Sequence, residues 1–228
     1  MNEPTTKAPD KTEQTADEVQ RYWNEIAPDF DAIYTGEKSG VARALDYIFR
    51  RDMQQRFEWA IEKGGDIAGK TACDIGCGTG RLAVEYASRG ATRVVGIDVA
   101  PNMLDLARRV VEDAGIEDRC EFVEADVLDW SPGETFDITL AIGLWDYIPD
   151  PVPRLRAIRQ ITDDRFLSTW PRYWTWRHPV RKARLALAGC PVFFFRRGDV
   201  ERHFADAGFR VESIDVVGKL FCVDARPA

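Results

Sequence analysis

Gly76, Gly78 and Gly80 stand at alternate positions directly after an apolar run, and Asp74 lies two residues ahead of the first of them. Glycines so spaced permit positive φ and let a ligand approach the backbone closely. About twenty residues on, the run Val94-Val95-Gly96-Ile97-Asp98 ends in a second carboxylate. An acidic side chain at that place can accept both hydroxyls of a ribose. The two features together point to a nucleoside, and two kinds compete. The dinucleotide fingerprint is G-x-G-x-x-G, with a pyrophosphate at the following helix N-terminus. The spacing here is G-x-G-x-G, and Asp74 would repel a pyrophosphate while attracting an ammonium. The residues therefore favour a nucleoside that carries an amino-acid tail.

The elements that must hold these residues follow from periodicity. Lys70 to Ile75, Arg93 to Ile97, Cys120 to Val123, Phe136 to Ile142 and Arg165 to Trp170 are short apolar runs that predict strands. Between them lie helical patterns at about Arg81 to Ser88, from Pro101 to Gly115, and from Asp150-Pro151 to about Ile161. Strand–helix repeats with short joins predict a parallel sheet covered on both faces, with ligands at the carboxyl ends of the strands. A helix at Asp199 to Ala207 precedes strands at Phe209 to Val217 and Lys219 to Ala225, so closely joined that they must form an antiparallel hairpin. Upstream, Val19, Tyr22, Trp23, Ile26, Phe30 and Ile33 make a helical face interrupted near Pro28. A second helix, capped by Ser39, ends at Gly64 and Gly65. The expected organisation is a disordered tail over 1–17, a helical extension over 18–65, and one α/β domain over 66–228 with an insertion near 171–197.

Composition removes several classes. In 228 residues no apolar run approaches the length of a membrane helix. The polar first residues predict no secretory signal, and a cytoplasmic location is expected. Five cysteines without a CxxC pair, and two histidines, predict neither a disulfide scaffold nor a metal site. The net charge of −7 argues against nucleic acid as a partner. Contact with a membrane surface is a minor reading. Oligomeric state is not legible.

The run Asp74-x-Gly76-x-Gly78-x-Gly80 with Gly96-Ile97-Asp98 resembles the signature of the class I S-adenosylmethionine-dependent methyltransferases. Glu124-Ala-Asp126-Val127, the fourth strand with Ala141, the late helix and the closing hairpin match further family segments, in order, over roughly 66–228. The resemblance implies a Rossmann-like, seven-stranded, mostly parallel sheet with a reversed C-terminal strand and S-adenosyl-L-methionine as cofactor. It implies that Gly76, Gly78 and Gly80 shape the cofactor loop and that Asp74 helps hold the methionine ammonium. Asp98 would bind the ribose, Val99 and Met103 would flank the adenine, Asp126 would accept from its amino group, and Val127 would offer its N–H. Ala141 would lie beside the methionine moiety. For Asp126 a turn cap is the plainer use. A looser resemblance, to magnesium-protoporphyrin methyltransferases, rests on Leu144-Trp-Asp-Tyr-Ile-Pro-Asp-Pro, Ser168-Thr-Trp-Pro-Arg172 and the N-terminal helices.

The acceptor side is less specific. Methyl transfer from a sulfonium asks mainly for positioning and exclusion of water. Asp146 and Tyr147, just after the fourth strand, are the candidate catalytic residues. His178 and His203 read as surface or cap residues. Trp170-Pro-Arg172-Tyr173 opens an aromatic and basic insertion that could stack on and pair with a flat, anionic acceptor. The alternative is an amphipathic surface helix. Tyr34, Trp145, Trp170, Arg172 and Tyr173 are the expected substrate-side residues. The expected function is methylation, at oxygen by preference, of a small planar anionic molecule. The alternatives are a nicotinamide-dependent oxidoreductase and a cofactor-binding protein without activity.

Overall fold

β1 (Thr71–Ile75) is buried from Ala72 onward because both its faces are covered, and Asp74 is its one charged residue. It pairs in parallel with β2 (Arg93–Asp98) on one side and β4 (Phe136–Ile142) on the other. β3 (Cys120–Glu124) lies outside β2, and β5 (Thr162–Pro171) lies beside β4. The hairpin of β6 (Phe209–Val217) and β7 (Leu220–Pro227) completes a seven-stranded sheet of order β3-β2-β1-β4-β5-β7-β6, with β7 antiparallel to both β5 and β6. This is the Rossmann-like sheet with a reversed C-terminal hairpin that the sequence predicts. The structure, a computed structural model, describes residues 18–27, 42–173 and 192–228, the side chains of 42–52 excepted. The predicted 1–17 tail, Tyr34, His178 and most of the 171–197 insertion lie outside these residues. None of the helices described is long and apolar enough to cross a membrane.

Helices cover both faces. α2 (Ala42–Gly64), α3 (Arg81–Ser88) and part of α4 (Pro101–Asp113) enclose a core that includes Trp59, Leu82, Tyr86, Val94 and Leu140. α5 (Val152–Ile161) and α6 (Arg197–Asp206) enclose the other, which includes Phe136, Leu155, Phe166, Trp170 and Phe204. α2 is tied down at several points. Tyr86 donates its hydroxyl to the Ala60 carbonyl at 2.9 Å, Trp59 Nε1 donates to Asp215 at 3.0 Å, and Arg165 donates to the Lys63 carbonyl. Gly64 is needed here, since a Cβ on it would fall 2.5 Å from the Tyr86 hydroxyl. A shorter helix, α1 (18–27), precedes α2.

β5 starts three residues earlier than its apolar run predicts. Thr162 accounts for this: its hydroxyl bonds the Ile158 carbonyl that ends α5 and the Thr139 hydroxyl on β4, both at 2.7 Å. β7 pairs with β5 only from Phe166 onward; before that point Asp163 is exposed and Asp164 is ion-paired with Arg226 of β7.

Candidate functional site

The turn after β1 is fastened to the end of β2. Gly76 and Cys77 donate their N–H groups to the Ile97 carbonyl, and Gly78 donates its own to Asp98 Oδ2 at 2.9 Å. Asp98 Oδ1 accepts from the Ala100 N–H, also at 2.9 Å. All three glycines of the turn have positive φ, 72°, 53° and 70°. They differ in surroundings. A Cβ on Gly78 would meet nothing, so the turn is open there, whereas a Cβ on Gly80 would fall 2.9 Å from Ala107 Cβ. Gly80 thus serves helix packing, and Gly76 and Gly78 face a cleft of about 510 Å³ at the carboxyl ends of β1, β2 and β4.

Asp74 points into this cleft from β1 at 2% exposure. Burial, and secondarily the neighbouring Asp98, push its pKa up to about 7. Among the described residues no lysine or arginine forms an ion pair with it. Asp98 is raised as well, by burial, against the opposing effect of the N–H groups of Ala100, Gly78 and Val99. A buried and a half-buried carboxylate beside a glycine turn with open space are suited to a ligand that brings a cation and hydroxyls. Val99, Met103, Asp126 and Val127 border the same cleft. Asp126 already has partners. One oxygen is bonded by Arg154, and the other accepts the Leu128 N–H at 3.0 Å. It therefore caps the turn after β3 as well as bordering the cleft.

The structure separates the remaining expected residues. Tyr147 borders the cleft and meets the Trp23 ring edge-on, with centroids 5.5 Å apart. Asp146 is buried and its carbonyl accepts the Phe193 N–H; it is not among the cleft residues. Ala141 is enclosed in the core. Trp145 and Trp170, expected on the substrate side, instead stack on each other in the core, 4.5 Å apart and fully buried. Their indoles fill the space between β5, α6 and the turn after β4. Arg172 lies over the Phe221 ring, and Tyr173 lies under the Arg196 guanidinium, both away from the cleft. His203 packs against Trp170 and Phe195.

Among the cleft residues that escaped the sequence reading are Gln20, Arg154 and Arg56. Gln20 of α1 donates to the Val99 carbonyl at 2.6 Å, and Asn102 bonds Asn24, so α1 sits over the start of α4. Arg154 neutralises Asp126. Arg56 enters from α2, one turn from Met53 and beside Phe57. Arg56 lies three residues from Met53 and so shares a helix face with it, but no spacing in the sequence singled it out.

Residues 72–164 match the family described as the methyltransferase domain. Curated relatives include the ubiquinone biosynthesis O-methyltransferases of Aeromonas salmonicida, 34% identical over 103 residues, and of Neisseria meningitidis, 38% identical over 100 residues. These alignments cover 45% and 42% of this chain and 43% and 41% of the relatives. The chain thus spans about half the length, or less, of the curated relatives it matches. Among solved structures, magnesium protoporphyrin IX methyltransferase from Synechocystis PCC 6803, with bound SAH, superposes with a TM-score of 0.79 at 19% identity, over 93% of this chain and all of that one. Geranyl diphosphate C-methyltransferase from Streptomyces coelicolor superposes at 0.71 and 16% identity, over 99% of this chain and 100% of that one. Residues 72–164 are thus similar to the methyltransferase domain, and the fold is the one these methyltransferase structures share.

Proposed function

We propose that this protein is an S-adenosylmethionine-dependent methyltransferase acting on a small, planar, anionic acceptor, with oxygen the favoured methyl-accepting atom. The observation that carries the reading is the pair Asp74 and Asp98 at the ends of β1 and β2, bordering one cleft and joined through the Gly78 turn. The cofactor supplies a methyl group already activated on a sulfonium. Asp74 holds its ammonium. Asp98, fixed by two N–H groups, receives the ribose hydroxyls. Gly76 and Gly78 allow the close backbone approach. Met103 and Val99 flank the base, and Val127, beside the Asp126–Arg154 pair, meets its edge. The work left to the protein is orientation and exclusion of water. No histidine among the described residues borders the cleft. The O-methyltransferase relatives support oxygen over nitrogen and carbon.

A nicotinamide cofactor fits less well, because its pyrophosphate would face the Asp74 carboxylate. Calorimetry separates the two: S-adenosylhomocysteine is expected to bind and NADH to give no heat. Uptake of NADH with none of S-adenosylhomocysteine would end the proposal. A labelled-methyl transfer screen over carboxylic acids, phenols and porphyrins then identifies the acceptor.

A further inference from the structure

Among the described residues, eight charged ones border the cleft, and Arg56 is the one that enters from α2. Asp74 and Asp98 serve the cofactor in the function proposed above, and Arg154 is paired with Asp126. Arg56 has no hydrogen bond or ion pair to any described residue. Its guanidinium instead lies against the backbone just beyond β4. A methyl group placed on Gly143 would fall 2.5 Å from Arg56 Nη1 and 2.9 Å from Cζ. Gly143 has a φ of 89° and donates its N–H to Thr169 Oγ1 at 2.9 Å, so this support is itself fixed. The anchors of α2 at Trp59, Ala60 and Lys63 hold the other end of the arrangement.

Strand order gives Arg56 its place relative to the cofactor. Moving from β2 to β1 to β4, the cleft presents Asp98, then Asp74, then Gly143 with Arg56. Ribose and ammonium occupy the first two positions, so Arg56 stands past the amino-acid end, on the side left to the acceptor. Around it the wall is formed by Met53, Phe57, Ile142, Leu144 and Tyr147, which is apolar and partly aromatic.

We propose that Arg56 is the specificity-determining residue of the acceptor subsite, pairing with an oxyanion, carboxylate or phenolate, on a flat acceptor held against that wall. The inference rests on the function proposed above. A guanidinium is permanently charged, planar, and presents a fork that matches oxyanion geometry. It would select acceptors already deprotonated and reject cationic ones.

The test uses the full chain in three steps. First, wild type is saturated with S-adenosylhomocysteine, and absence of heat at this step defeats the methyltransferase reading itself. Second, the complex is titrated with benzoate, benzamide and 4-nitrophenol. Benzoate is expected to bind at least about ten-fold tighter than benzamide, the scale of a charge-assisted pair. If the natural oxyanion is a phenolate, bound 4-nitrophenol shows the phenolate absorbance at a lower pH than free 4-nitrophenol does. Third, the titration is repeated with Arg56→Gln, which should keep its affinity for S-adenosylhomocysteine and lose the anion preference. Arg56→Met, which keeps the apolar stem, decides in its place if Arg56→Gln does not fold. Heat with S-adenosylhomocysteine but equal binding of benzoate and benzamide with no absorbance shift, no binding of any probe, or an anion preference that survives removal of the guanidinium each overturns this inference and leaves the methyltransferase reading intact.

Discussion

Gly78 and Gly80 have the same sign of φ and opposite surroundings, so one substitution separates binding from folding. Adding Cβ at Gly78 meets no protein atom. Gly78→Ala is therefore expected to cost only the left-handed backbone penalty, about 1–2 kcal/mol, while its methyl projects into the ligand space. Gly80→Ala adds to the same penalty a contact 2.9 Å from Ala107 and 3.0 Å from Phe122. It should be the less stable variant in urea unfolding, and the tighter binder of S-adenosylhomocysteine among molecules still folded. A Gly78→Ala protein with wild-type affinity would show that the turn does not face the cofactor. Asp98→Ala should weaken binding by about 2–3 kcal/mol, the scale of hydrogen bonds to a charged group. It should also loosen the turn, because the same carboxylate accepts from Gly78 and Ala100.

At the scale of elements, α1 is ten residues long, too short to be stable alone, and its attachment lies on the cleft rim. Ala27 and Trp23 pack with Ala100 and Met103, Trp23 meets Tyr147, and Gln20 bonds Val99. Trp23→Ala is expected to raise the dissociation constant for S-adenosylhomocysteine several-fold with little change in unfolding midpoint, since α1 lies outside the two large cores. An unchanged dissociation constant would mean that α1 covers the rim without contributing to binding. The strands and helices around the site were legible because each carries its own period and its own stop. Four residues that border the cleft were legible for the same reason: Asp74, Gly76, Gly78 and Asp98 occupy fixed places relative to those stops. The acceptor side was not. Trp145 and Trp170 carry no local mark that separates a stacked core pair from a ligand platform, and only the docking of β5 against α6 decides it. Arg56 carried no mark either: only the packing of α2 against the end of β4 brings it to the cleft.

The whole molecule carries a linked cost at Asp74. With its folded pKa raised to about 7 against an ordinary value of 3.8, the cofactor-free protein retains a proton that the unfolded chain releases. The stability this group contributes is complete below about pH 4 and is lost as pH rises through about 7, by up to about 4 kcal/mol at roughly 1.4 kcal/mol per unit. Asp98 titrates in the same direction, so the comparison that isolates Asp74 is with Asp74→Asn. Urea unfolding of the cofactor-free proteins should show wild type losing stability between pH 4 and 7 and Asp74→Asn following a flatter line, ending above wild type at pH 8. Binding runs the other way. An ammonium favours the ionised carboxylate, so wild-type affinity for S-adenosylhomocysteine should rise with pH and level off above about 7, and saturating ligand should restore much of what was lost. Asp74→Asn should bind weakly, with little slope. A variant more stable than its parent at pH 8 yet deficient in binding is the signature of a carboxylate kept buried for a cation. Equal affinity and equal slope in the two proteins would show that Asp74 does not hold the ammonium.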